Sequence, residues 1–413
     1  MQDRKPPLSP ATPTALPATA RRRAAASSVR WPLKKPMKIA NIVGARPNFL
    51  KMAPLINEMQ AHASISTTLI HTGQHYDRLM SGQFFEDLDL REPDFNLGVG
   101  SGSHASQTAE TMRRLEPVFD AVHPDLVLVV GDVNSTLAGA LTAVKLHIPV
   151  AHVEAGLRSF DRAMPEEINR LLTDAVSDFL FITEESGREN LLREGIAPRK
   201  IHFVGNVMID ALQASRSRWE QSSILSRLGL GDGDPYAVLT LHRPANVDDP
   251  LTLMNFLDAF QALARHVPIV FPLHPRVKQQ LLRQGYLCRN LRDPAEPLHR
   301  KGIAFLDALG YLDFIALLSR ARLVLTDSGG VQEETTFLGV PCLTLRDNTE
   351  RPVTITHGTN RVIGSDPGRI VNEALRTLEE PPRRSEPPRL WDGRAAERIV
   401  GILMDPHRHE RDR

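Results

Sequence analysis

Proton transfer on a small molecule needs carboxylates and imidazoles brought together, and this sequence sets them out at regular intervals. Short β-branched runs are each followed at once by a polar cluster. The clusters are Gly44-Ala45-Arg46-Pro47-Asn48 with Lys51, Thr72-Gly73-Gln74-His75, Gly131-Asp132 with Asn134-Ser135-Thr136, and Glu154-Ala155-Gly156-Leu157-Arg158. Further along come His242-Arg243, His274-Pro275, Asp327-Ser328-Gly329-Gly330 and Arg346-Asp347. A surface loop carries any one of these for solubility alone. So many His, Arg, Asp and Glu residues at run ends read instead as the lining of a cleft. The Asp327–Glu334 stretch is the clearest of them. A Ser-Gly-Gly turn between a buried run and a helix leaves backbone N–H groups at the positive end of that helix, which suits a diphosphate. Glu333 and Glu334, one turn further in, would lie beside whatever the phosphate carries, and a carboxylate pairs well with ribose hydroxyls. A tight turn whose acids simply complement the helix dipole is the structural alternative.

The elements that must position these clusters are legible from residue 37 onward. Candidate strands are Ile39–Val43, Thr67–His71, Leu126–Val130, Val150–Val153, Phe179–Ile182 and Ile201–Val204. A second series follows at Ala237–Leu241, Ile269–Leu273, Ile303–Leu306, Leu323–Leu325, Cys342–Leu345 and Arg361–Ile363, with helical patterns between. Runs such as LVLVV are apolar throughout, as in strands covered on both faces, so the sheets are expected to be parallel with right-handed helical crossovers. The expected fold is α/β, with two doubly wound Rossmann-like domains, 37–205 and 206–390, facing a central cleft. In such sheets ligands collect at the carboxyl ends of strands. The stretch 391–405 reads as a C-terminal helix with Ala395, Ile399 and Leu403 on one face.

Composition narrows the remaining classes. Of 413 residues, 41% are apolar and 24% charged, an ordinary globular balance. Residues 1–36 hold eight Lys/Arg and one acid, with seven prolines and seven alanines, and are expected to be disordered or to reflect an over-long start ahead of Met37. The remainder carries 42 basic against 48 acidic side chains, so no nucleic-acid surface is expected. Cys288 and Cys342 form no C-x-x-C pair, and reduced thiols in a cytoplasmic protein are the default reading. No apolar run reaches the roughly 18 residues of a membrane span. Phosphate-loop, H-E-x-x-H and zinc-ligand spacings do not occur, so a bound diphosphate would be neutralised by Arg, Lys, His and helix dipoles. Gly98-Val99-Gly100-Ser101-Gly102 follows Asp94-Phe95-Asn96-Leu97 rather than a buried run, and is discounted as a dinucleotide loop.

Taken in order, several motifs resemble the non-hydrolysing UDP-N-acetylglucosamine 2-epimerases. They are Gly44-Ala45-Arg46-Pro47 with Lys51, Gly131-Asp132 with Ser135-Thr136, His152 to Arg158, Pro165-Glu166-Glu167-Ile168-Asn169-Arg170, Gly205-Asn206, His242-Arg243, Asp327 to Glu334, and Arg346 to Pro352. The resemblance runs from about residue 37 to about residue 405. It implies a GT-B-like fold, a UDP-sugar substrate, no cofactor or metal, a homodimer and a place in surface-polysaccharide synthesis. It further implies elimination of UDP to a 2-acetamidoglucal and re-addition with the proton on the opposite face of carbon 2. By the same resemblance Asp132, Glu154 and Glu166 are the catalytic carboxylates, and His242 assists the leaving group or proton transfer. Arg46, Lys51, Arg243, His274, Ser328, Gly329, Gly330 and Glu334 bind substrate. Which carboxylate removes the proton stays open, and so does a structural role for each. Asp132 could cap the next helix, Glu154 could pair with Arg158 or Arg170, and Glu166 could be a first-turn acid like Glu167.

Departures from the family's wording bear on detail. His242-Arg243-Pro244-Ala245-Asn246 lacks a glutamate common in relatives, and Val353 stands where Glu is common. Gln74 and Gln107 match a second, allosteric UDP-sugar site, but Ser106 replaces the Arg expected there, so activation is expected to be reduced or absent. A diacetamido uronic-acid nucleotide, a hydrolysing epimerase, a GT-B glycosyltransferase and a non-catalytic UDP-sugar sensor are the alternatives.

Overall fold

The structure is a computed structural model that describes residues 35–74, 82–231, 233–286, 302–381 and 386–405, with backbone alone at 82–84. The expectations for residues 1–34, His75 and Cys288 lie outside the described residues. The described residues fall within one compact unit.

Thirteen strands are described, all paired in parallel. The first sheet holds β1 (Met37–Val43), β2 (Ile65–His71), β3 (Phe95–Asn96), β4 (Leu126–Val130), β5 (Val150–Ala155), β6 (Phe179–Ile182) and β7 (Ile201–Phe203), in the order β3-β2-β1-β4-β5-β6-β7. The second holds β8 (Ala237–Thr240), β9 (Ile269–Pro272), β10 (Ile303–Leu306), β11 (Leu323–Thr326), β12 (Cys342–Thr344) and β13 (Asn360–Val362), in the order β10-β9-β8-β11-β12-β13. The strand order reverses between β1 and β4 in the first sheet and between β8 and β11 in the second. At such reversals neighbouring crossovers leave on opposite faces and a crevice opens beyond the strand ends.

Burial explains why the strands form where they do. All five residues of β4, LVLVV, are buried, and Ile42, Ile70, Phe119, Val127 and Val129 share one core cluster. Leu239, Phe256, Phe260, Phe271 and Leu325 belong to the core of the second sheet. One strand was absent from the sequence reading. β3 has two residues, both exposed, and so leaves no apolar pattern to read.

The last described helix, Ala395–Met404, packs against the Arg46–Gln60 and Val207–Ala214 helices, and Ala395, Ile399 and Leu403 are fully buried in that contact. Its first turn is held by Asp210, whose Oδ2 accepts from the Ala396 N–H at 2.7 Å. Burial pushes the Asp210 carboxyl up to about 6. Trp391, just upstream, donates from Nε1 to the Thr183 carbonyl at 3.0 Å. No helix among the described residues is long and apolar enough to cross a membrane.

Candidate functional site

At the first reversal, the loop after β1 is tied to the end of β4 by Asn48. Its Oδ1 accepts from Ala45 N–H at 3.0 Å, and its Nδ2 donates to the Val130 carbonyl at 3.0 Å. One turn along the same helix, Lys51 is buried and ion-paired with Glu154. Between the two lies Gly131, at φ +69°, where an added Cβ would stand 3.3 Å from Glu154 Oε2 and 3.4 Å from Lys51 Nζ. A left-handed backbone with cations and carboxylates this close favours glycine. Asp132 follows, half-buried, with Arg170 Nη1 at 2.5 Å from its Oδ2. Burial works to raise the Asp132 carboxyl, but Arg170, Lys51 and Arg351 together hold it below the usual range. Asp132 does not cap the next helix, whose N-cap is Val133 without a side-chain bond.

Glu154 occupies a β-bulge at the end of β5, where the register with β6 shifts between Val153 and Ala155. Its φ of +76° is unusual for a non-glycine residue, and such strain collects at functional sites. The buried carboxylate is bound by Lys51 on Oε2 and by Arg351 Nη2 at 3.0 Å on Oε1. These partners differ from the two the sequence offered. Arg158 is committed to Asp174 and Glu194, each at 2.7 Å. Arg170 is committed to Asp132 and Glu167.

The adjacent acids at the start of the Pro165–Val176 helix do different work. Glu167 is buried and accepts from Ser159 N–H at 3.0 Å, Phe160 N–H at 2.9 Å and Arg170 Nη2 at 2.5 Å, bracing the preceding loop. Glu166 is half-buried and has no ion pair or hydrogen bond among the described residues.

The second sheet supplies the opposite wall. His242 follows β8 and Asp327 follows β11, on the two sides of the reversal. Asp327 is fully buried; it accepts from the His242 and Arg243 N–H groups at 3.1 and 2.9 Å and stands 2.7 Å from His242 Nδ1. Burial would raise this carboxyl, yet His242 and the backbone donors bring it down to about 2. A fixed carboxylate at Nδ1 sets the orientation of the imidazole and leaves Nε2 for chemistry, as in other Asp–His pairs. Asn246 donates to Asp327 Oδ2 at 3.2 Å and to the Leu345 carbonyl at 3.1 Å, while Ala245, where relatives carry glutamate, is exposed.

Ser328 is the N-cap of the ten-residue helix Gly329–Leu338, and its hydroxyl makes no cap bond there. Gly329 lies against Arg351, whose Cζ would be 2.8 Å from an added Cβ. At Gly330 a Cβ would meet only Met208 Cε, at 3.8 Å, so no packing within the described residues demands glycine there. Glu334, buried beside Glu333 and Tyr311, is pushed up to about 8, chiefly by burial and then by the Glu333 charge. Arg351 joins the walls. Besides Glu154, it contacts Glu333 Oε1 from Nε at 2.7 Å and Glu350 Oε1 from Nη1 at 2.5 Å. Arg346 and Arg243 reach the same Glu350, at 2.8 and 3.5 Å.

The remaining predicted residues lie further out. Arg46 donates from Nη2 to the Leu309 carbonyl at 3.3 Å, a second link between the halves of the chain. His274 is the N-cap of the Pro275–Arg283 helix, with its ring centroid 5.8 Å from that of His242. Gln74 and Gln107 are buried and occupied. Gln74 Oε1 accepts from Ser135 Oγ at 2.7 Å; Gln107 Nε2 donates to the Gln74 and Gly100 carbonyls at 3.1 and 3.0 Å. Among the described residues the Ser106 hydroxyl, where a cation was expected, bonds only within its own helix start, at Ser103. Asp327, Glu350 and Arg351 were read as motif letters without roles, and Glu333 was expected beside the nucleotide rather than against Arg351. Their polarity beside apolar strands was the available signal.

Two parallel Rossmann-type sheets whose carboxyl ends meet across acids, cations and an imidazole define an α/β enzyme with a GT-B-like fold. A sequence model of the UDP-N-acetylglucosamine 2-epimerase family matches residues 57–404. The UDP-N-acetylglucosamine 2-epimerase of Methanocaldococcus jannaschii is 43% identical over 371 residues, covering 89% of this chain and 99% of that one. The crystal structure of the enzyme from that organism in complex with UDP-GlcNAc and UDP superposes with a TM-score of 0.81 at 42% identity, covering 89% and 99% of the two chains. The UDP-2,3-diacetamido-2,3-dideoxy-D-glucuronate 2-epimerase of Pseudomonas aeruginosa is 42% identical over 345 residues, 83% of this chain and 92% of that one. The chain belongs to the UDP-N-acetylglucosamine 2-epimerase family and is an isomerase.

Proposed function

We propose that the protein interconverts UDP-N-acetylglucosamine and UDP-N-acetylmannosamine at carbon 2. The observation that carries this reading is the convergence of two unlike walls on one cleft. One wall holds Asp132, Glu154 and Glu166; the other holds the His242–Asp327 pair beside the Ser328-Gly329-Gly330 helix start. Inversion by loss and return of a proton needs acid and base groups on both faces of the sugar. The helix start and His242 would take the diphosphate as the bond from carbon 1 to UDP breaks, with Lys51, Arg46 and Arg243 stabilising the charge that develops. Glu334 would meet the ribose. Re-addition of UDP to the glucal, with the proton delivered from the opposite side, completes the reaction.

A plain N-acetyl sugar fits the charge balance better than a uronic acid. Among the described residues Arg170, Arg346 and Arg351 are each held by a carboxylate partner, and Lys51, Arg46 and Arg243 are assigned to the diphosphate, so a sugar carboxylate would need a further cation. The reading also includes two lobes, 37–205 and 206–390, closing over the substrate so that the glucal is not lost to water. A homodimer rests on the family resemblance, a cytoplasmic location on two cysteines that form no C-x-x-C pair, and weak or absent activation through Gln74 and Gln107 on the resemblance together with Ser106.

The test is NMR of the purified protein with UDP-GlcNAc in deuterated water, without metal, nicotinamide or acceptor. Deuterium at carbon 2 together with UDP-ManNAc signals supports the proposal. Free N-acetylmannosamine would make the enzyme a hydrolysing epimerase. Absence of exchange, with exchange on the diacetamido uronate nucleotide, would move the substrate to that class.

A further inference from the structure

His152 lies in β5 between Val129 of β4 and Leu180 of β6, with no solvent exposure. An imidazole in such surroundings is costly unless both ring nitrogens are bonded. Both are, and both to acceptors. Nδ1 is 2.7 Å from Asp174 Oδ1, and Nε2 is 2.8 Å from the Gly131 carbonyl oxygen. A carbonyl cannot donate. Asp174 also takes the Gly156 N–H at 3.0 Å and Arg158 Nη2 at 2.7 Å on its other oxygen, an arrangement that fits an ionised carboxylate. Burial works to raise Asp174, but His152 and Arg158 hold it down. A neutral imidazole has one donor and one acceptor nitrogen, so neither tautomer satisfies both contacts.

We propose that His152 is a positioning residue of the site, held as an imidazolium that donates from both ring nitrogens. Its reach covers three segments that carry the acids. Through Nε2 it fixes the Gly131 carbonyl, one residue before Asp132. Through Asp174 it grips the Gly156 N–H, two residues after Glu154, and so secures the bulge that holds Glu154 at positive φ. Asp174 itself belongs to the Pro165–Val176 helix, which bears Glu166 and Arg170 near its start. One buried ion pair thus ties Asp132, Glu154 and Glu166 to a common anchor. The charges around it are balanced: Asp174 faces His152 and Arg158, and Arg158 continues to Glu194 at 2.7 Å. Asp132 and Glu154, on the cleft side, have their own cations in Arg170, Lys51 and Arg351.

The proposal rests on the epimerase reading for its effect on catalysis, but its core claim is tested without turnover. In the full chain labelled with nitrogen-15 in histidine, and assigned by loss of the signal in His152→Gln, His152 is expected to show two protonated ring nitrogens under the conditions of the activity assay. One protonated and one bare nitrogen overturns the proposal. Two substitutions then separate the bonds. Asparagine offers its amide near the place of Nδ1 and loses Gly131; glutamine offers it near Nε2 and keeps Gly131. His152→Asn, which frees the Gly131 carbonyl, and His152→Gln, which leaves Asp174 without its imidazole partner, are each expected to lower kcat about tenfold or more with KM and UDP affinity changed less than about threefold. Unchanged kcat in both variants, or losses carried by KM and UDP affinity rather than kcat, overturn it. Failure of the unsubstituted protein to exchange the carbon 2 proton would instead remove the proposed function and leave the nitrogen-15 result standing.

Discussion

Arg351 Nη2 lies 3.0 Å from Glu154 Oε1, so a guanidinium carried beyond β12 is bound to a carboxylate at the bulge of β5, in the other sheet. With Glu333 and Glu350 on its remaining sides, this one cation serves three buried carboxylates. Arg351→Met would leave all three without it. The expected cost is about 3–5 kcal/mol of unfolding free energy, read from urea denaturation. A loss below about 1 kcal/mol would mean that the acids are neutralised in another way.

The two glutamates proposed to act on the sugar should part company when each is made an amide. Glu166 has no partner among the described residues, so Glu166→Gln is expected to keep its melting temperature while kcat falls about 100-fold or more. Glu154→Gln should lose activity to a similar degree and stability as well, because Lys51 and Arg351 are left short of a buried counter-charge. Equal stability in the two variants would contradict the pairing described for Glu154.

Asp327→Asn tests the orientation of His242. A kcat reduction of about 100-fold or more is expected, with little change in KM. The same variant has a pH signature. Because the folded-state value is held down to about 2, ionised Asp327 contributes stability that is full above the ordinary carboxylate range and is lost as pH falls through about 2. The difference in unfolding free energy between the unsubstituted protein and the variant should be about 2 kcal/mol near neutrality and shrink as pH drops below about 4. Denaturation at the two pH values measures it, and a constant difference would sink the idea.

Glu334, raised to about 8, is protonated for the most part at neutral pH. An amide should therefore replace it well. UDP affinity measured by calorimetry is expected to change less than about threefold in Glu334→Gln and to fall about tenfold or more in Glu334→Ala. Equal binding by the alanine variant would remove Glu334 from the nucleotide site.

Strands covered on both faces were legible to the residue in Leu126–Val130, Phe179–Ile182 and Ile303–Leu306, because unbroken apolar runs have no other common explanation. Phe95–Asn96 was not, since an exposed edge pair of two residues carries no pattern. Acids and bases at strand ends were readable for the same reason, as polar groups directly after buried runs. Their pairing was not. Arg158 and Arg170 were the candidates for Glu154 because they are near in sequence, whereas its partners Lys51 and Arg351 are 103 and 197 residues away. Charge pairing over such separations is fixed by the meeting of sheets, which local sequence does not encode. His152 was likewise a letter within a motif until its two acceptors were in view.

The helix Ala395–Met404 covers the inner face of a helix that ends at Gln60, so the chain's first crossover waits for one of its last segments. At a synthesis rate of about 5–20 residues per second, that wait is of the order of a quarter of a minute to a minute. Throughout it the second sheet can form between Val207–Ala214 and the closing helix, while the Arg46–Gln60 helix lacks part of the surface that packs against it in the finished molecule. The nascent chain therefore carries an unfinished apolar groove for most of its emergence. Polypeptides cut before Ala395 should be substrates for chaperones and proteases rather than smaller enzymes.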